Sequence, residues 1–345
     1  MPSNAAYAVM TKSRAKYGKR LTKQNYRELL SLSSVGEIAM YLKTQTHYSS
    51  ALSSVQETAV HRGYLEKLLR GKVLDDFAEL CHFEESVGEH LFEYILLRGD
   101  VSELLRFVRR YNAGHPEEYL FELPVFFNRH TKTDLLALSK VKSFDALLQV
   151  FAASPLAKII SGFRPESGHV IDYTALEAAL RKYLFTFSLE MLKKYNLKKA
   201  AGELETLFTA QAELENLRVI FRCKKYFNTS ADMLSALLTP ARLHFTKRQM
   251  KDMIAATDIK TIETVLANSY YHKFLGQHGY IDEYTGQFLC KTCRKYMRFS
   301  SLPAIVMLSY VYLFELEIED ITNIIEGVRY NMPPEQISRL TVALS

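Results

Sequence analysis

Two apolar patterns recur along this chain, always in the same order. The first runs Leu29-Leu30-x-Leu32-Ser33-x-Val35 and continues to Ile38 and Leu42. It returns 106 residues later as Leu135-Leu136-x-Leu138-Ser139-x-Val141 with Phe144 and Leu148, and 224 residues later as Met253-Ile254-x-Ala256-Thr257-x-Ile259 with Ile262 and Leu266. Each copy predicts a helix, a short Ser/Thr-bearing turn and a second helix whose start is capped by a hydroxyl. The second pattern is Glu213-Leu-Glu-Asn-Leu-Arg-Val-Ile-Phe-Arg222. Here Leu214, Leu217, Ile220 and Phe221 share one helical face. Asp100 to Val108 repeats it through Glu103, Leu104, Phe107 and Val108, and Glu317 to Ile325 through Asp320, Ile321, Ile324 and Ile325. The acids lead each copy and Arg222, Lys224 and Lys225 close one of them, the sign order that the helix dipole favours.

A unit of about a third of the chain is far longer than solenoid repeats of roughly 20–50 residues. The expectation is an all-α fold of three similar helical modules, 1–114, 115–230 and 231–345. Residues 1–20 read as an amphipathic lead-in helix, and helices follow near Leu65–Leu80 and Leu91–Leu97. Gly114 and Pro116 mark the first break. The stretch 121–127 reads as an apolar strap, and Asp172 as the cap of a long helix from Tyr173 to Tyr195. Leu302 to Phe314 is apolar but shorter than the roughly 20 residues of a membrane span. It predicts a buried helix with Ser300 or Ser301 as cap and Pro303 in the first turn. After it, Pro334 starts a short helix.

Composition sharpens this picture only in part. Gly (14) and Pro (9) are scarce, which suits helices, and Tyr (21) and Phe (20) are abundant. The net charge of +6 does not require nucleic acid. No acid precedes Glu28, whereas seven cations from Lys12 to Arg27 do. Such a run is either a solvated helix face or a patch for an acidic partner or anionic membrane. The first residues lack the apolar core of a secretory signal.

Catalytic signatures are missing: there is no phosphate-binding glycine loop, no paired-histidine zinc helix and no nucleophile elbow. Cys290-Lys-Thr-Cys293, with His272 and His278 upstream, has the ligand types of a zinc site. The same letters read more simply as buried thiols on one helix face. Glu84-Glu85 and the run Glu315/Glu317/Glu319/Asp320 read as solvated or helix-starting carboxylates. The candidate partner-binding residues are the basic helix ends Arg106, Arg109 and Arg110, and Arg222, Lys224 and Lys225. They form one positive surface if the modules pack in a ring; otherwise they only complement helix dipoles.

The second pattern resembles the Asp-x-x-Asn-Leu-Lys signature, followed by apolar positions and Arg, of the C-type subunit of prokaryotic A/V-type rotary ATPases. That family is related to the d-type subunit of the eukaryotic vacuolar ATPase. Glu213 to Arg222 matches closely, and Asp100-Val-Ser-Glu-Leu-Leu less so, since Glu103 replaces Asn. Leu65-Glu66 and Leu176-Glu177 resemble the family's Leu-Glu before a long helix. Tyr310 to Ile318 followed by Met332-Pro-Pro-Glu335 is similar to its C-terminal signature. The resemblance implies a non-catalytic component without cofactor, three modules forming a pseudo-threefold funnel. It also implies two partners: the membrane proteolipid ring under one face, and the foot of the central shaft in the cavity. Torque for proton or sodium transport would pass between them at the cytoplasmic face. Two other readings stay open. A helical-repeat nucleic-acid binder would alternate basic and aromatic side chains along a concave face, and an all-α zinc protein would use Cys290 and Cys293.

Overall fold

Alternating short capped helices and long apolar ones follow from these letters. The computed structural model describes residues 4–56, 60–82, 88–124, 126–166, 169–194, 201–274 and 281–344. Among them there is no strand. After the lead-in helix α1 (Asn4–Gly18) come α2 (Lys23–Leu30) and α3 (Val35–Gln45), the long pair α4 (Arg62–His82) and α5 (Gly88–Asn112), and the single turn α6 (Tyr119–Glu122). The second pass gives α7 (Leu135–Leu138), α8 (Phe144–Val150), α9 (Leu156–Ser161), the long pair α10 (Tyr173–Lys194) and α11 (Ala201–Arg222), and α12 (Ala231–Leu237). The third gives α13 (Lys247–Ala255), α14 (Ile259–Ala267), the long pair α15 (Ile281–Phe299) and α16 (Pro303–Arg329), and α17 (Pro334–Ser338). Short helices, then a long pair, then a short helix is thus the order in every pass.

The capping chemistry behind this order is local. Ser34, Ser143 and Asp258 each accept the N–H of the third residue of the following helix, at Glu37, Ala146 and Thr261. The third cap is therefore a carboxylate, not the hydroxyl of Thr257. Burial also corrects the register of the second pass. Tyr26 and Leu29 lie in the core as Leu135 and Leu138 do, which moves that copy three residues from the alignment of letters. The cause is that α7 is cut to a single turn. Its partner helix buries Leu147, while Leu148 is only half-buried.

The elements gather into two units. The first comprises Met1–Leu91, Leu197–Leu204 and Tyr270–Ser345. Its centre is α16, which packs against α15, α4 and α1. Every residue from Ala304 to Phe314 is buried, as an all-round apolar helix requires. Pro303 occupies its first turn, but Leu302 is the N-cap and no side chain caps the helix, so Ser300 and Ser301 do not serve there. Among the described residues no helix is long and apolar enough to cross a membrane. The second unit comprises Phe92–Asn196 and Glu205–Ser269. There α10 packs on α9 and α12, and α12 on α13. Within the strap, Phe127 is buried with its ring seated on Gly99 of α5, whereas Phe121 faces outward.

The acids of the second pattern do not lead their helices. Each sits in mid-helix and is buried: Asp100 and Glu103 on α5, Glu213 and Asn216 on α11, Glu317 and Asp320 on α16. The dipole reading of the sequence is therefore replaced by a stronger constraint. Glu213 accepts three backbone N–H groups, from Leu243 (2.7 Å), His244 (2.9 Å) and Phe245 (3.1 Å), on the approach to α13. Asp100 accepts the hydroxyl of Thr131, and Thr133 also bonds to it, on the approach to α7. Glu317 accepts the N–H of Leu21 (2.8 Å), on the approach to α2, and the hydroxyl of Tyr48 (2.9 Å). So the acid of the first pass holds the start of the second, that of the second holds the third, and that of the third holds the first. The following position ties down the segment after each long pair. Asn216 exchanges two bonds with Thr239, each 2.8 Å. Asp320 accepts from Val342 and Ala343, and Glu103 from Tyr119.

Burial sets the protonation of the third copy. It pushes Glu317 up to about 7, against the bonds from Leu21 and Tyr48. Asp320 is also raised to about 7 by burial, against the Val342 and Ala343 N–H groups. His47 lies 3.7 Å from Glu317, yet burial, helped by Lys72, pushes it down to about 4. Desolvation thus favours the neutral form of both partners, and this contact is not a full ion pair.

Glu213→Ala leaves three backbone donors without their acceptor and should cost about 3 kcal/mol or more in urea unfolding. A carboxylate raised in the fold from its ordinary value of 4.5 to about 7 weakens the native state as pH climbs through that window. Glu317→Gln removes this loss. Its stability relative to the parent should improve between about pH 4 and pH 8 by on the order of 1–3 kcal/mol, read from unfolding midpoints at each pH. A difference that is flat across this range would contradict the raised value.

Candidate partner-binding site

Many helices stop at a residue in the left-handed region, and this chain places one after the second helix of each long pair. Among the described residues, positive φ occurs at Gly114 (81°), Asn228 (44°) and Asn331 (54°), the residues that close α5, the α11 run and α16. His115 N–H then bonds back to Arg110 (3.0 Å), and Met332 N–H to Gly327 (2.9 Å). The second copy differs. Fourteen residues separate Asp100 from Gly114 and Glu317 from Asn331, but fifteen separate Glu213 from Asn228. The extra residue is absorbed by a π-helical turn, Cys223–Phe227, and Thr229 N–H reaches one residue further back, to Cys223 (3.4 Å).

Cations crowd these stops because the exposed carbonyls favour them. The six residues expected from sequence divide into two groups. Arg106 is turned into Glu103 (3.0 Å), and Arg110 into Glu118 (2.7 Å). Lys224 donates to the carbonyl of Thr229 (3.2 Å). These three are engaged within the unit. Arg109 is exposed and forms no ion pair among the described residues. Arg222 touches Glu177 (3.3 Å) but is half open to solvent. Lys225 lies over the rings of Phe221 (5.4 Å) and Tyr226 (5.3 Å). The first turn of α10 brings the ends of α5 and α11 together. Tyr173 feels both Arg109 and Arg222, along with Arg181; its hydroxyl is nonetheless raised, chiefly by burial and then by Glu177. Asn112 of α5 clasps Ile171 just before α10 at both its N–H and its carbonyl.

Sequence reasoning missed the exposed aromatic side chains at these helix ends. Tyr226 is 66% and Phe227 70% exposed, beside Lys225. At the end of α16, Tyr330 is 66% exposed with Arg329 over its ring. The signal was present in the letters: Arg110-Tyr111-Asn112, Lys225-Tyr226-Phe227-Asn228 and Arg329-Tyr330-Asn331 share a basic residue, Tyr and a nearby Asn.

Among the described residues the other candidates do not come together as a site. Cys290 and Cys293 are buried on α15, and burial raises both thiols, Cys293 to about 12. A thiol held protonated is a poor metal ligand. Among the described residues no group of three His, Cys, Asp or Glu is placed to hold a metal ion. His278, Glu84 and Glu85 lie outside the described residues. The run at 315–320 is corrected in part: Glu317 and Asp320 are buried structural acceptors, not solvated groups.

No individually characterised protein matches the chain. Residues 9–340 match the model of a family described as the ATP synthase (C/AC39) subunit, and with nearly its whole length covered the chain belongs to that family.

Proposed function

We propose that this chain is a non-catalytic central-stalk subunit of a V/A-type rotary ATPase. It acts as a socket that links the central shaft to the membrane proteolipid ring and passes torque for proton or sodium transport. It would sit peripherally on the cytoplasmic face and need no cofactor. The three modules, 1–114, 115–230 and 231–345, would be arranged around a pseudo-threefold axis. Family membership over residues 9–340 supports the general role. The observation that carries the finer reading is the cyclic sequence of buried acids, in which Glu317 holds Leu21 as Glu213 holds Phe245. A body that transmits twist must resist shear, and each of these joints fixes a segment against a long helix within its own unit.

The basic, aromatic helix ends are the proposed partner-binding face. Arg109, Arg222 and Lys225 would meet an acidic partner, with Arg106, Arg110 and Lys224 bracing them from behind. Such charge complementarity would speed assembly more than it would tighten it. Affinity purification of the chain from its native membrane, in mild detergent and low salt, should recover shaft and proteolipid subunits. Recovery of the chain without any other part of a rotary ATPase would overturn the proposal. The double substitution Arg109→Glu with Lys225→Glu should keep the fold but cost about 1–3 kcal/mol in urea unfolding, since it places two negative charges at helix C-termini and removes the cation over Phe221 and Tyr226. The same variant should lose most of its co-purifying partners.

A further inference from the structure

Within the first unit, the end of α1, the start of α2, the last turns of α15 and the middle of α16 enclose a cavity of about 470 Å³. Four cations line it: Arg20, Lys23, Arg294 and Arg298. None of them forms an ion pair with a carboxylate among the described residues. Two acids also line it, Glu317 and Asp320, but their oxygens are turned to protein donors. Glu317 accepts from Leu21 and Tyr48, and Asp320 from Val342 and Ala343. The cavity therefore holds an excess of positive charge, four cations against two carboxylates, with Arg20 acting on Glu317 and Arg294 on Asp320 through space and neither in an ion pair among the described residues.

Two of the four cations, Arg20 and Arg294, are held in place before any ligand arrives. Arg20 lies 4.3 Å above the ring of Tyr17 and donates to the Tyr17 carbonyl at 3.3 Å. Arg294 donates to the side chain of the same tyrosine. Arg14 fixes α1 against α15 by donating to the carbonyls of Met297 (2.8 Å) and Ser300 (2.6 Å). Preorganisation of this kind reduces the entropy lost on binding. Planar guanidinium forks, several of them converging, match the tetrahedral oxygens of phosphate better than a lone carboxylate. The volume lies within the range of small-molecule pockets, about 300–1,000 Å³.

We propose that this cavity binds a phosphate ester carrying more than one negative charge. The phosphate sits among Arg20, Arg294 and Arg298, and the remainder of the ligand lies against Tyr17 and Tyr26. The same chemistry is offered by a soluble polyphosphate ester and by a phosphorylated lipid headgroup, and the test separates them. The purified full chain is titrated with inositol hexakisphosphate and with inorganic pyrophosphate, by calorimetry and by thermal unfolding. It is also sedimented with phosphatidylcholine vesicles with and without phosphatidylinositol 4-phosphate. A soluble ligand raises the unfolding temperature on titration; a headgroup ligand gives sedimentation only with the phosphoinositide. In either case Arg298→Glu, at an exposed position, should lower affinity about tenfold or more while folding as the parent does. Arg248→Glu, on a side chain open to solvent in the second unit, should change it little. Binding to neither probe class overturns the proposal, and so does binding that Arg298→Glu and Arg294→Gln leave intact.

Discussion

Everything in this chain leans on a carboxylate buried in the middle of a helix and aimed at someone else's backbone. An acid inside a core is costly unless its oxygens are taken. Here they are taken by N–H groups or hydroxyls that precede a short helix, where the backbone has donors that no helical carbonyl can serve. Each side of the contact solves the other's problem. Because the partner is the backbone at two of the three joints, the contact reads position along the chain and not the identity of a side chain. That makes Glu213 and Glu317 devices of register: they state which segment lies beside α11 and α16, and at what depth.

Periodicity in the letters carried most of the fold. Helical spacing, a hydroxyl cap on α3 and the short Pro334 helix were readable, since each depends on residues within one or two turns, although the caps are Ser34 and Ser143 and not the repeated Ser33 and Ser139. What failed depended on distance. Glu213 looked like a dipole-favouring leader because its donors stand about thirty residues away at Leu243 to Phe245. Glu317 looked solvated because its donor, Leu21, is 296 residues distant. The second-pass register slipped for a different reason. With α7 a single turn, the apolar letters around Leu135 fit two alignments equally well, and only burial selects one.

The same contrast governs the candidate interface. Arg106, Arg109 and Arg110 are alike as letters, and helix geometry alone identifies Glu103 as a neighbour of Arg106. That Glu118 captures Arg110 depends on the turn at Gly114, which the sequence marks without giving its direction. Arg109 is left outward by elimination. The exposed rings of Tyr226, Phe227 and Tyr330 were overlooked because a tyrosine or phenylalanine in an apolar-rich chain is normally counted toward the core.

The single additional residue in the π-helical turn has a further implication. Where α5 and α16 stop on the same count from their buried acid, α11 runs one residue longer before it turns. A widened turn shifts every side chain beyond it by about a third of a helical turn, so Tyr226 and Phe227 are both exposed where the end of α16 exposes Tyr330. One inserted residue thus makes the end of α11 chemically unlike the ends it otherwise copies.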